Sequence, residues 1–135
     1  MGNKVKLQIT TPYGNVVDEN VYMVVAKTTD GKIGLMSGKS PFIGNIVISE
    51  LLIQFNVNKE FVSYAISNGI VMATPNLINI VTDSCIKVSE IDIQRALRQK
   101  DYAIAKIKMH KSAEKIAMYE SELRKEINKI NLYNK

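Results

Sequence analysis

The sequence predicts an α+β fold: an N-terminal antiparallel β-sandwich followed by a C-terminal antiparallel hairpin of two helices. Two observations support this prediction. Every glycine and proline lies at or before Pro75, whereas the last sixty residues contain neither. Apolar residues recur at every second position near the N-terminus but at helical spacing from Ser89 onward. We therefore predict two domains, a β-sandwich over 1–86 and a helical hairpin over 89–135.

The β-sandwich is predicted from short β-rich segments separated by turn signals. Val5, Leu7 and Ile9 alternate with polar residues, which gives a strand with one apolar face. The segment Thr11-Pro12-Tyr13-Gly14 predicts a turn, because proline fixes one dihedral angle and glycine permits a positive one. Short strands at such intervals are typical of an antiparallel sandwich or barrel. The other predicted strands are Val21–Lys27, Asn45–Phe55, Phe61–Ile66, Ile70–Thr74 and Leu77–Val81.

The helical region has a clear start but no clear division. Ser89-Glu90-Ile91-Asp92 predicts a capping box, in which the Ser89 hydroxyl accepts a backbone N–H and the Asp92 carboxylate reaches back. His110-Lys111-Ser112 is the weakest helical stretch, and Ser112 can cap a second helix. One continuous helix is locally acceptable too. The predicted apolar stripes are Ile93, Leu97, Ile104 and Ile107, followed by Ile116, Tyr119, Leu123, Ile127 and Ile130.

The excess positive charge lies in the helical region. Residues 1–88 carry seven Lys/Arg and six Asp/Glu, whereas residues 89–135 carry eleven and seven. A basic tail suits acidic partner surfaces. It also allows an alternative function, a stand-alone module that binds nucleic acid through its helices. Glutamates interrupt the positive face of the second helix, and this argues against that alternative.

Enzymatic chemistry is not predicted. The single cysteine, Cys85, has only His110 as a partner for a nucleophilic pair, and we interpret it as a packed side chain. No Cys/His cluster offers three or four metal ligands, so no metal site and no catalytic residues are predicted. No apolar run approaches the roughly 20 residues that span a bilayer. The start, Met1-Gly2-Asn3-Lys4, does not predict a signal peptide.

Several motifs resemble those of the epsilon subunits of F-type ATP synthases. The segment from Gly31 to Phe42 has the spacing of the signature G-x-x-G-I-L-P-G-H-x-P-L, with Ser37 and Lys39 in place of the usual proline and histidine. Thr11-Pro12-Tyr13-Gly14 is similar to the T-P-x-G turn of the family, and Ser67-Asn68-Gly69-Ile70 to its S-G-G-F hairpin. We interpret the motif residues Gly31, Gly34, Gly38, Pro41 and Gly69 as structural turn positions.

The resemblance implies a non-catalytic subunit of the central stalk, or rotor, that couples proton-driven rotation to ATP synthesis. The β-sandwich is then expected to dock on the gamma subunit and the membrane ring. The hairpin is expected to be mobile and to inhibit ATP hydrolysis when it extends into the alpha/beta catalytic head. The expected location is the cytoplasmic face of the cell membrane, peripheral and without insertion. No nucleic acid partner is implied.

The resemblance also implies a candidate regulatory ATP site, although no cofactor is required. Some bacterial members bind ATP through a motif I/L-D-x-x-R-A, and this chain has Ile91, Asp92, Arg95 and Ala96 at the matching positions. Where ATP-binding relatives have an earlier carboxylate, this chain has Ile86. On the second helix, Lys125 and Lys129, with Arg124 adjacent, stand in place of two arginines. Lysine neutralises phosphate without the planar fork of arginine, so weak binding is expected.

Overall fold

The computed structural model describes residues 3–135, so the predicted absence of a signal peptide at Met1-Gly2 lies partly outside the described residues. The chain divides into two compact units, Met1–Lys87 and Val88–Lys135. The α+β class, a β-sandwich followed by two helices, is confirmed. The strands are β1 (Val5–Thr11), β2 (Gly14–Val21), β3 (Met23–Thr28), β4 (Gly31–Met36), β5 (Phe42–Ile46), β6 (Ser49–Gln54), β7 (Val62–Ile66), β8 (Gly69–Thr74), β9 (Leu77–Thr82) and β10 (Cys85–Lys87).

The strands form a folded sheet in the order β10-β7-β6-β3-β5-β8-β9-β1-β2, with β4 paired to β3. The pairs are antiparallel except β1 with β9, which run parallel from Lys6 opposite Leu77 to Thr10 opposite Val81. Strand β3 joins the two parts of the sheet, because Val24 lies opposite Ile53 of β6 while Thr28 lies opposite Ile46 of β5.

The core of the sandwich comes from strands that alternate between buried and half-buried positions. In β1 every second residue is buried, and Leu7 and Ile9 have no exposed surface. Such alternation buries one face of each strand against the facing layer. The largest fully buried side chains elsewhere are Leu35, Ile46, Leu51, Ile53, Ile66, Ile78 and Ile80.

The prediction of one continuous strand over Asn45–Phe55 is wrong, because the structure has two strands there. The chain leaves β5 after Ile46 and begins β6 at Ser49. Between them the Val47 N–H donates to the Lys27 carbonyl at 3.1 Å, and the Ser49 hydroxyl donates to the Val47 carbonyl at 2.8 Å. The chain turns there because its pairing partner changes from β8 to β7.

The helical region is a hairpin of α1 (Ile93–Met109) and α2 (Ala113–Tyr133), not one continuous helix. The predicted capping box at Ser89 is wrong, because Ser89 lies in a 3₁₀ turn over Val88–Glu90. The Ile91 N–H closes that turn by donating to the Val88 carbonyl at 3.2 Å. The α-helix therefore begins only after Asp92, which is itself the N-cap. No helix among residues 3–135 is both long and apolar enough to cross a membrane.

Candidate functional site

The glycine-rich signature forms β4 and the loop that follows it. Gly31 closes the β3–β4 turn with φ of 113°, and Gly38 has φ of 80°, so both adopt conformations that favour glycine. Pro41 directly precedes β5. Gly34 is not a turn position, because it lies within β4 opposite Val25. Gly69 is not one either: it begins β8, and its φ is not positive.

The motif over residues 91–96 occupies the start of α1, and its members divide by exposure. Ile91 and Ala96 are buried, whereas Asp92 and Arg95 are exposed. The Asp92 Oδ1 accepts a hydrogen bond from the backbone N–H of Arg95 at 3.1 Å, which caps the helix. Asp92 therefore contacts Arg95 through the backbone, and the exposed Arg95 is accessible to an anion.

The three cations predicted for the ATP site on α2 differ in their surroundings. Arg124 is exposed. The Lys125 ammonium lies 3.2 Å from the Glu122 carboxylate, and the Lys129 ammonium lies 3.4 Å from that of Glu126. Both lysines thus already have a carboxylate on their own helix, which a phosphate would have to replace.

The alignment of α1 with α2 places Arg95 and the lysines of the candidate ATP site at the same height along the hairpin. The rings of Tyr102 and Tyr119 meet at a centroid distance of 6.3 Å. Arg95 lies seven residues before Tyr102, and Glu126 lies seven residues after Tyr119. Because both helices rise about 1.5 Å per residue, Arg95 lies level with the stretch of α2 that carries Lys125 and Lys129. Arg95, Lys125 and Lys129 therefore share the end of the hairpin away from its turn, where Glu122 and Glu126 lie beside the two lysines.

The residues considered for other chemistry, Cys85 and His110, belong to different units of the chain. Cys85 is buried in β10 opposite Ile66, and burial raises the pKa of its thiol to about 12. His110 is the C-cap of α1. Within residues 3–135, no group of three or more His, Cys, Asp or Glu residues is arranged to hold a metal ion.

An exposed apolar patch on the sandwich was missed by the sequence analysis. We call it the outer patch. Ile43 lies opposite Met72 across β5 and β8, and Ile70 lies opposite Val81 across β8 and β9. All four are exposed, Ile43 to 75%. The signal was present in β8, whose Ile70-Val71-Met72-Ala73 run is apolar on both faces and thus typical of a strand covered on both sides.

Solved structures place the fold in a class of protein with a β-sandwich and a helical hairpin. A chain of the Euglena gracilis mitochondrial ATP synthase matches with a TM-score of 0.72 and 20% identity, over 94% of this chain and 81% of that one. A chain of the central stalk and c-ring of the Tetrahymena thermophila mitochondrial ATP synthase matches with a TM-score of 0.59 and 13% identity, over 98% and 96%. At these identities the matches show a shared fold.

Sequence similarity shows the family. The pattern described as "ATP synthase, Delta/Epsilon chain, beta-sandwich domain" matches residues 4–88. An ATP synthase epsilon chain of Mycoplasma mobile is 37% identical over 133 residues, which cover 98% of this chain and 94% of that protein. The chain therefore belongs to the ATP synthase epsilon family. This membership confirms the resemblance and favours it over a stand-alone nucleic-acid-binding module.

Proposed function

We propose that this chain is a rotor subunit of the central stalk that couples proton-driven rotation to ATP synthesis and restrains ATP hydrolysis through its hairpin. It is a peripheral subunit on the cytoplasmic face of the cell membrane, and it performs no chemistry itself. The sandwich docks on the gamma subunit and the membrane ring, and the opened hairpin reaches the alpha/beta head. Family membership and the likeness to chains of two mitochondrial ATP synthases support this role.

The outer patch supports a docked sandwich. Exposed apolar side chains on neighbouring strands favour burial against another protein, at about 25 cal/mol for each Å² covered. The face also lacks charge at the intervening positions, because Asn45 lies opposite Ile70 and Asn79 opposite Met72. Ile43→Asp is expected to weaken assembly of the chain with its stalk partners, measured by co-purification. Tyr13→Asp, at a turn outside the patch that is even more exposed, is the control.

The main support for the proposed restraint of ATP hydrolysis is that few residues are buried between the two helices of the hairpin. Ala96 and Ala103 are the only buried residues of α1, and Glu126 is the only one of α2. The larger apolar residues of the predicted stripes, such as Leu97 and Leu123, are half-buried, and Ile127 is exposed. Because no large apolar side chain of α1 or α2 is fully buried, opening costs less free energy than it would in a well-packed pair.

The turn of the hairpin imposes no obstacle to opening either. His110 has φ of −94° and ψ of 144°, and Ser112 has φ of −70° and ψ of 130°. The φ of Ser112 is close to that of an α-helix, whereas the φ of His110 is about 30° more negative, so Ser112 has to change mainly ψ and His110 both angles to join a helix. No non-glycine residue in the described chain has a positive φ that extension would have to release.

A cross-link that holds the hairpin closed tests this function. Tyr102→Cys and Tyr119→Cys, joined by a short bis-maleimide, lock α1 to α2 in the assembled ATP synthase. Cys85 stays in place because its thiol is buried. Locking is expected to raise ATP hydrolysis severalfold over the same variant with each cysteine blocked singly. Equal hydrolysis by the locked and unlocked assemblies would show that opening of the hairpin does not inhibit.

ATP binding is the second function that we propose, supported by the register that brings Arg95 level with Lys125 and Lys129. Arg95 and the lysines would contact phosphate, and Glu122 and Glu126 would be displaced from the lysines. We expect weak, saturable binding of ATP to the isolated chain by calorimetry, and its loss in Arg95→Ala. Arg98→Ala, an exposed arginine of the same helix, is the control. No binding at millimolar ATP would leave the motif as a helix cap alone.

A further inference from the structure

Three rings meet near the turn of the hairpin, and we call them the aromatic clasp: Tyr102, Tyr119 and His110. The Tyr119 ring stacks on the His110 ring at 5.4 Å between centroids and 13° between planes. Its other contact is edge-on with Tyr102 at 6.3 Å and 72°. The Lys106 ammonium lies 5.3 Å from the centroid of Tyr102, within the range of a cation–π contact. Tyr119 is thus the one member that touches both of the others.

The clasp joins α2 to α1 across the turn. Tyr102 belongs to α1, His110 caps its end, and Tyr119 belongs to the second turn of α2. In one continuous helix, Tyr102 and Tyr119 would be separated by seventeen residues, or about 25 Å along the axis. Two tyrosine side chains cannot span that distance. Extension therefore requires the clasp to break, whatever else the hairpin contacts.

Apart from the clasp, no large apolar side chain of α1 or α2 is fully buried. The residues buried within the helices are two alanines and a glutamate, and the ion pairs of Lys125 with Glu122 and of Lys129 with Glu126 each join residues of the same helix. Those ion pairs persist when the helices separate, so they do not hold the hairpin closed. Stacked and edge-to-face rings, in contrast, stabilise the closed form beyond their buried area alone.

We propose that the aromatic clasp holds the hairpin closed and sets the ratio of closed to open forms. Its consequence for ATP hydrolysis rests on the proposed function above, because only an opened hairpin inhibits. The holding role itself does not depend on that function and can be measured in the isolated full-length chain.

The experiment compares Tyr119→Leu, which removes the ring but keeps an apolar side chain, with Tyr119→Phe, which keeps the ring. Spin labels on Gln99→Cys and Glu120→Cys, two exposed positions on facing helices, report the distance between α1 and α2. Cys85 remains unlabelled because burial raises the pKa of its thiol to about 12. Tyr133→Leu replaces an exposed tyrosine of α2 outside the clasp and is the matched control.

We expect Tyr119→Leu to lower the closed-to-open ratio about fivefold to tenfold, because two ring contacts are lost. Tyr119→Phe and Tyr133→Leu are expected to leave the ratio nearly unchanged. Far-ultraviolet circular dichroism checks that the helices persist. Tyr102→Leu and His110→Leu each remove one contact of Tyr119, and each is expected to give a smaller shift in the same direction. A ratio unchanged by Tyr119→Leu with the helices intact would overturn the proposal.

Measuring ATP hydrolysis in the assembled ATP synthase distinguishes the role of the clasp from the proposed inhibitory function. If the clasp holds the hairpin and the opened hairpin inhibits, Tyr119→Leu lowers the rate of ATP hydrolysis relative to Tyr119→Phe. If Tyr119→Leu opens the hairpin in the isolated chain but leaves hydrolysis unchanged in the assembly, the clasp is supported and the inhibitory function is overturned.

Discussion

Gly69 and Val81 lie so close across β8 and β9 that no side chain fits between them. A Cβ atom added to Gly69 would overlap the Val81 carbonyl oxygen and would lie 2.9 Å from the Thr82 Cβ. The Thr82 hydroxyl fixes this approach by donating to the Asn68 carbonyl at 2.9 Å. Glycine is therefore required here by contact with the neighbouring backbone. It is not required by a turn with positive φ, because the φ of Gly69 is not positive.

Gly69→Ala is expected to lower the free energy of unfolding by about 2 kcal/mol or more, because the new methyl group forces β8 away from the backbone of β9. Urea unfolding followed by circular dichroism measures the change. Gly34→Ala is the matched control, since Gly34 also lies in a strand and a Cβ there meets nothing within 4 Å. It is expected to be neutral or slightly stabilising. Equal losses in both variants would contradict the contact argument.

The cap of α1 predicts the effects of two substitutions at Asp92. Asp92→Ala removes the acceptor for the Arg95 N–H and is expected to cost about 1 kcal/mol, seen as faster amide exchange in the first turn of α1. Asp92→Asn keeps an acceptor and is expected to exchange nearly as slowly as the unaltered chain. If ATP binds, a loss of affinity in Asp92→Asn without faster exchange would separate a ligand role of Asp92 from its capping role.

The buried Cys85 thiol predicts a loss of stability at alkaline pH. Its pKa is raised from 9.0 to about 12 by burial, so the folded state keeps its proton while the unfolded state loses it. This contribution is fully present below pH 9 and is lost as the pH rises through the window from about 9 to 12. Cys85→Ala removes the titrating group, and its unfolding free energy is expected to fall less over that window. Parallel curves for both chains would contradict the assignment.

The exposed pair of Lys6 and Asp18 joins β1 to β2 at 2.9 Å. The hydrogen bond from Lys6 lowers the pKa of Asp18 below its ordinary value of 3.8. Stability from this pair is present above the unfolded pKa and is lost as the pH falls through the folded value. Lys6→Met is expected to raise the pKa of Asp18 in an NMR titration, and salt to reduce the difference. An unchanged pKa would show that the pair does not persist in solution.

The fold class was predictable because the two halves differ in periodicity, but several strands were not. Strand β2 carries Asp18, Glu19 and Asn20, which disfavour a strand locally, and it forms because β1 offers a pairing edge. Strand β4 contains Gly31 and Gly34, which we interpreted as turns. Pairing with β3 overrides that local preference. Tertiary pairing of this kind leaves little trace in the residues of one strand.

The candidate site was predictable in its residues and less so in their contacts. The position of Ser112 as the cap of α2 was predicted, and its hydroxyl accepts from the Lys115 N–H at 3.5 Å. The cap of α1 was placed three residues too early, because the 3₁₀ turn before Ile91 has no distinct sequence signal. The pairing of Lys125 and Lys129 with glutamates depends on side-chain conformations that spacing alone does not determine.

The parallel pairing of β1 with β9 has a consequence for the growing chain. Strand β1 is synthesised first and can pair with β2 at once, yet its other edge has no partner until Leu77–Thr82 has left the ribosome. Until then the nascent sandwich has an unpaired edge on β1, one face of which carries Val5, Leu7 and Ile9, and such an edge can pair with other chains. Closing the sandwich is therefore a late, long-range event, whereas the hairpin of α1 and α2 forms from local contacts and needs no such wait.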